Sequence, residues 1–393
     1  MGLRTYPRAY FELLIVAFTL IMGMSLPSAF LPLFARELNP SELLVGFVSS
    51  AWFVSRIFTE LPSGILADRL GRRRLLLGGL ALSAAGAFLC STAEIIQVLI
   101  IGRALWGLGT GLFFMSSSAA IFDLFESSVR GRALGTFQAI EFAGSFIGAP
   151  IGSFMVASTG FRGVFQAASA LMVCSLVVAF SSRGLRQAEA EPEQSDRSLT
   201  DVLSSLRSWG LTTVYVSSFS RMLIWAGLTG TVLPLYMSLD LGIPVELIGL
   251  VVSLRTLGMI AAAGVSGYLS DMFGRKPMIL LGLLLESVCC FAYTSTTLYE
   301  MLLLIALAEG LGRGMVLTSI MVLLSEMVSS KTRGGALGMY RTFMDVGGFT
   351  GPLFFMVVFE EFGSYYTFLA AIIIIAASMA LIATVKTKKE SRE

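Results

Sequence analysis

Twelve ionisable side chains stand inside runs that are otherwise apolar. Six are arginines (Arg56, Arg103, Arg221, Arg255, Arg313 and Arg341) and six are acids (Glu12, Glu60, Glu141, Glu286, Glu309 and Asp345). At the centre of a membrane helix each costs about 2.5–3.5 kcal/mol unless it is paired or hydrated, so each is a candidate for ion pairing, ligand binding or proton movement. Arg56/Glu60, Glu309/Arg313 and Arg341/Asp345 are each spaced i,i+4, the separation that brings two side chains together on one helix face. Histidine is absent, so proton chemistry falls to carboxylates. Such a carboxylate is kept neutral by desolvation and ionised when a neighbouring arginine or returning water favours its charge. Cys90, Cys174, Cys289 and Cys290 have no metal-ligand spacing and read as small apolar residues. The sequence shows no P-loop, nucleophile elbow or metal-binding constellation. The reading is therefore not an enzyme, with no metal or other cofactor, and any work is driven by an ion gradient.

These side chains need helices in lipid to position them. Hydrophobic residues make up 55% of the 393 and charged residues only 14%, where a soluble domain carries about 25% charged. The net charge of +2 gives no basis for nucleic-acid binding. Runs of about 20 apolar residues predict twelve spans, over 10–34, 43–66, 75–93, 96–122, 132–158, 163–182, 209–237, 246–268, 277–295, 299–325, 335–359 and 364–385. The first reads as a span and not as a cleaved leader. Twenty Lys and Arg fall in loops on one side and two, Arg36 and Arg162, on the other. The positive-inside rule then places both termini in the cytoplasm. The expected organisation is a six-span bundle over 1–183, a polar cytoplasmic linker over 184–207 and a second six-span bundle over 208–393.

The two bundles are copies. At an offset of 203 residues, GILADRLGRRR (64–74) returns as GYLSDMFGRKP (267–277). The same shift carries Gly107, Gly109 and Gly111 onto Gly310, Gly312 and Gly314, Asp123 onto Glu326, Arg130 onto Arg333, and Gly144 and Gly148 onto Gly347 and Gly351. Six predicted spans separate Asp68 from Asp271, so both copies of the motif face the same side and the repeat is parallel. Inverted-repeat transporters have halves that point oppositely.

Residues 64–73 read G-x-x-x-D-R-x-G-R-R, and by this motif the chain resembles the major facilitator superfamily. Arg103 followed by Gly107, Gly109 and Gly111 resembles a second pattern of that family in the fourth span. Gly135, Gly144, Gly148, Pro150 and Gly152 resemble a third, in the fifth span, associated with antiporters; Pro150 is displaced by one position and Ser153 replaces the last glycine. The same glycines would also serve simple close packing. The second copy of the loop motif departs at Met272, where a basic residue is usual.

The resemblance implies an all-α membrane protein of twelve helices in two parallel six-helix repeats. It implies two loop latches, Gly64-Asp68-Arg69-Gly71-Arg72 with Asp123, and Gly267-Asp271-Gly274-Arg275 with Glu326. In this family the second and eleventh spans, and the fifth and eighth, face each other between the halves. That suggests Arg56–Asp345, Glu60–Arg341 and Glu141–Arg255 as ion pairs between halves, with Arg56–Glu60 and Arg341–Asp345 as the local alternatives. The family's cavity is lined by the first, fourth, seventh and tenth spans. Arg103, Phe114, Ser117, Arg221, Trp225, Glu309 and Arg313 are the cavity candidates; Arg221 and Arg313 would hold an anion, or Arg221 would bond Glu309. Glu141, Asp345 and Glu309 are the proton-coupling candidates, and Glu286 has no assigned role. The expected function is secondary transport of a small organic solute by alternating access, as proton-coupled multidrug-like efflux across the cell membrane by a monomer. Uptake of a small organic anion, by proton symport or uniport, and a non-transporting receptor on the same fold are the alternatives.

Overall fold

A computed structural model describes residues 7–38, 40–60, 71–187, 208–328 and 333–385. The chain separates into two compact units, Met1–Ser195 with Pro244–Gly249, and Asp196–Ile243 with Leu250–Glu393. Among the described residues every regular element is helical, as lipid requires of a chain whose backbone polar groups must be satisfied within each segment. Ten helices among the described residues are long and apolar enough to cross a membrane.

In the first unit, α1 (Arg8–Ser25) and the short α2 (Leu31–Glu37) replace the single span expected over 10–34. The break follows from Pro27, which cannot donate to the helical ladder. α3 (Glu42–Glu60), α4 (Arg72–Ser91) and α5 (Ile96–Leu124) come next. α6 (Ser127–Ser181) is nominally 55 residues long but leaves helical geometry at Gly160, at φ 66°. Its two arms run in opposite directions along α1. Ala133 and Gly144 lie against Tyr10 and Phe18 on the first arm. On the second, Phe161 stacks near Phe34, and Ser182, just past its end, bonds Glu12. Gly160 is thus a hairpin, and the spans expected over 132–158 and 163–182 are its arms. α7 (Arg183–Gln187) opens the polar stretch; the rest of the 184–207 linker lies outside the described residues.

The second unit follows the same plan. α8 (Trp209–Leu223) passes into a π-helical segment, Ile224–Val232, and then α9 (Leu233–Leu239). Thr231 Oγ1 donates to Ala226 O at 2.8 Å, five residues back, as the wider π turn allows. α10 (Val245–Phe273), α11 (Arg275–Ser295) and α12 (Tyr299–Met327) lead to α13 (Arg333–Ala383), which bends at Gly363, φ 82°. One arm meets α8 through Tyr340 and Arg221; the other returns to Trp209, whose Nε1 donates to Thr384 Oγ1 at 3.0 Å.

Repeated glycines mark where helices cross. A Cβ on Gly79 would lie 2.6 Å from Gly109 O, and one on Gly282 2.6 Å from Gly312 O. These are one α4–α5 crossing and its copy between α11 and α12. Without a hydrophobic drive between helices in lipid, such backbone approach supplies the packing energy. Gly78, beside Gly79, has nothing within 4 Å of its Cβ position. Gly79→Ala is therefore expected to destabilise by about 1–3 kcal/mol through overpacking, whereas Gly78→Ala should be neutral or stabilising by about 0.5–1 kcal/mol. Thermal unfolding of the two purified variants in detergent measures this, and equal midpoints would refute the crossing.

Candidate functional site

The two loop motifs end in the same local geometry. Gly71 and Gly274 precede α4 and α11 with φ of 80° and 98°, a conformation costly for any residue with a Cβ. Arg72 and Arg275 follow them at the first helical position. Arg72 forms an ion pair with Asp123 at the end of α5, and its Nη1 donates to Ala119 O at 3.3 Å. Arg275 pairs with Asp271 at 2.5 Å and with Glu326 at 3.1 Å, and donates to Ser270 Oγ at 2.6 Å. The Gly267 carbonyl accepts from Ser270 Oγ at 2.9 Å. Gly64, Asp68 and Arg69 lie outside the described residues, as does the side chain of Glu60.

Arg130 adds a contact that sequence reasoning treated only as a repeat mark. Its guanidinium donates to Phe122 O at 2.8 Å and Phe125 O at 3.1 Å, capping the C-terminal carbonyls of α5 beside Asp123.

The other first-unit candidates contact aromatic rings. Arg56 lies over Trp52 at 4.7 Å and near Phe114 at 5.9 Å, and Arg103 lies over Trp106 at 5.2 Å. Ser117 is fully buried and Glu141 half-buried. In the fifth-span motif, Gly144, Gly148 and Gly152 face the backbone of α1, so they set its distance; Gly135 has nothing within 4 Å, and Pro150 lies inside the helical arm.

The densest chemistry is in the second unit. Glu309 Oε1 accepts from Arg313 Nη2 at 3.1 Å and from Thr229 Oγ1 at 3.2 Å; its Oε2 accepts from Tyr293 Oη at 2.9 Å and lies 3.9 Å from Arg255 Nη1. Arg313 Nη2 is also 3.9 Å from Glu286 Oε2. Glu286, Glu309, Arg313, Thr229 and Tyr293 each expose under a twentieth of their surface. The two acids and two arginines balance in charge, which lets them stay buried. Arg221 does not bond Glu309; its Nη2 donates to Tyr340 Oη at 3.1 Å and reaches Met344 sulfur at 3.6 Å. Trp225, in the π segment, is 39% exposed. Asp345 is buried and Arg341 exposed. Among the described residues no group of His, Cys, Asp or Glu could hold a metal ion.

Glu286 is the member to which the sequence alone assigned no role. The signal was present. Glu286 follows Gly282 by one helical turn, and Gly282 matches Gly79 at a repeated crossing, so Glu286 had to face α12 beside Gly312 and Arg313.

A family model described as Major Facilitator Superfamily matches residues 13–229 and 214–393. Multidrug resistance protein MdtG of Enterobacter lignolyticus is 28% identical over 366 residues, covering 90% of this chain and 86% of its own. Multi-drug resistance efflux pump PmrA of Streptococcus pneumoniae is 27% identical over 91% of this chain and 90% of its own. Among solved structures, the nucleoside transporter NupG aligns with TM-score 0.78 at 15% identity, covering 96% of this chain and all of its own. A bacterial homologue of the human lysosomal transporter Spinster aligns with TM-score 0.77 at 14% identity, covering 95% of both chains.

Removing the Glu309 carboxylate would leave Arg313 and Arg255 buried without their nearest acid. Glu309→Ala is expected to cost about 3–5 kcal/mol, whereas Asp271→Ala, at a side chain 66% exposed, should cost about 0–1 kcal/mol. Thermal midpoints in detergent compare them; comparable losses would contradict the burial argument.

Proposed function

The chain belongs to the Major Facilitator Superfamily, and on that premise we propose that it exports small organic molecules by alternating access, coupled to protons flowing the opposite way. That it is a multi-pass membrane transporter follows from the family and the apolar helices; efflux, proton antiport and residence in the cell membrane are what we propose. Counting each arm of α6 and α13 as a pass gives the proposed twelve helices, with both termini cytoplasmic and the chain acting as a monomer.

The observation that carries export is the match, along about nine-tenths of the chain, to proteins named as multidrug resistance and efflux proteins. Proton coupling is supported by carboxylates held among arginines inside the spans, because such a group changes charge when its surroundings are rewetted. The uptake reading needs Arg221 and Arg313 to receive an anion, and in the structure both donate to protein partners.

In this reading the Arg72–Asp123 and Asp271–Arg275–Glu326 pairs act as latches that open and close during the cycle. Arg56–Asp345, Glu60–Arg341 and Glu141–Arg255 exchange partners between halves, with Glu141, Asp345 and Glu309 as proton-coupling candidates. Arg103, Phe114, Ser117, Arg221, Trp225, Glu309 and Arg313 bound the substrate path.

The test uses everted membrane vesicles with an imposed pH gradient and a panel of lipophilic cations, neutral drugs and organic anions. The expected outcome is that at least one compound dissipates the gradient, and that Glu141→Gln or Asp345→Asn abolishes the effect. A panel in which no compound moves protons while labelled anions cross would replace export with anion uptake.

A further inference from the structure

The cluster around Glu309 exists in one copy only, although the scaffold under it exists in two. At the repeat offset, Arg255, Glu286, Tyr293, Glu309 and Arg313 correspond to Trp52, Ser83, Cys90, Trp106 and Thr110. Both copies make the same crossing. Gly109 meets Ser83 in the first unit, and Gly312 meets Glu286 in the second. The first unit forms this crossing with neutral side chains, with Trp106 fully buried in place of Glu309. The fold therefore does not require four buried charges there, and their presence in the second unit calls for another reason.

Glu286 stands out among them. It is 2% exposed, and its Oε1 has no hydrogen-bond partner. Arg313, 3% exposed, has Nε and Nη1 without partners. Arg313 Nη2 is committed to Glu309 at 3.1 Å and stands 3.9 Å from Glu286. A shift of under 1 Å would transfer that hydrogen bond from one acid to the other. Glu309 and Arg313 both bond Thr229, at 3.2 and 3.4 Å, and Thr229 lies in the π segment that also carries Trp225.

We propose that Glu286 carries the transported proton, and that Arg313, shared between Glu286 and Glu309, passes its occupancy to the π segment of the seventh span. The proposal rests on the proton-coupled reading above and supplies a proton-carrying residue for it. A proton arriving from one side of the membrane adds to a carboxylate oxygen of Glu286 and forms the neutral acid. Arg313 then holds Glu309 alone, and the two grip Thr229. Departure of the proton to the other side restores the carboxylate, which draws Arg313 toward it and loosens that grip. No bond other than O–H forms or breaks.

The titratable and charged groups around Glu286 come from four elements. Arg313 approaches Glu286 from α12 with Glu309 on its other side, Arg255 reaches Glu309 from α10, and Arg221 on α8 is held by Tyr340. Cys289, Cys290 and Tyr293 share α11 with it. The returning arm of α13 packs on α11 through Phe368 and Tyr293, and its tyrosines Tyr365 and Tyr366 are exposed.

Infrared difference spectra of the full-length protein in lipid bilayers, taken between acid and alkaline pH, read carboxyl protonation without a transport substrate. The expected result is a carboxylic-acid C=O band that is lost in Glu286→Gln and retained in Glu300→Gln, a variant of an exposed acid at the start of α12. Survival of the band in Glu286→Gln, or its absence from the wild-type protein, overturns the proposal. If Glu286→Gln does not assemble, Glu286→Asp decides. A shifted band supports Glu286, and an unshifted one overturns it. A wild-type protein that moves no protons with any compound of the vesicle panel would remove the antiport reading, and the infrared band would still separately decide whether Glu286 takes up a proton.

Discussion

Helices in lipid gain little by hiding apolar surface from one another, so their association depends on how closely their backbones can approach. In this protein that approach is supplied by glycines facing a neighbouring backbone. Gly79 and Gly109 bring α4 to α5, and Gly144 and Gly148 bring the first arm of α6 to α1. The second unit repeats the arrangement with Gly282 and Gly312, and with Gly347 and Gly351 against α8. Gly107 likewise meets α3 at Trp52, and Gly310 meets α10 at Arg255, so the helices that carry the charged side chains described above are spaced by such contacts. The Glu309 cluster can be satisfied because α10, α11 and α12 are close enough for side chains of ordinary length to meet.

Duplication explains why the scaffold is symmetric and the chemistry is not. Close packing constrains the glycines alike in both copies, whereas the side chains between them are free to diverge. Trp106 fills by bulk the position where Glu309 accepts hydrogen bonds from Arg313, Thr229 and Tyr293. Arg56 and Arg103, conversely, rest on aromatic rings, and their counterparts in the second copy are Met259 and Ala306. Within the spans the first unit rests Arg56 and Arg103 on ring faces, and the second holds Arg255 and Arg313 beside a carboxylate. A carboxylate can lose its charge by taking up a proton, and an indole ring cannot.

The helical class and the repeat were legible because both rest on local pattern: apolar runs of spanning length and a D-x-x-G-R motif in unbroken register. Arg72 with Asp123, and Arg275 with Asp271 and Glu326, were expected from the family resemblance, which the loop motif carries. The break at Pro27 could have been read from that proline, but the apolar run across it masked the signal. The π segment at Ile224–Val232 has no comparable mark, because a widened turn depends on tertiary packing. Glu286 was named without a role, and the Arg221–Tyr340 bond was not foreseen, because direction around a helix axis is not visible from depth along it. Arg130 shows the same limit: the repeat singled it out, but only the geometry showed it closing the end of α5.

The hairpins at Gly160 and Gly363 have a mechanical consequence. Each reverses the chain within about one residue, so the joined arms have no slack between them. Glycine is the most permissive residue at such a joint, so each pair is a fork whose prongs are coupled by what they hold between them. The first prong of α13 carries Tyr340, bonded to Arg221, and the second carries Thr384, bonded to Trp209. The fork therefore holds α8 at two separated heights. Torque applied at either height turns α8 as one rod, and the compliance of that span is left to the π segment beyond its end.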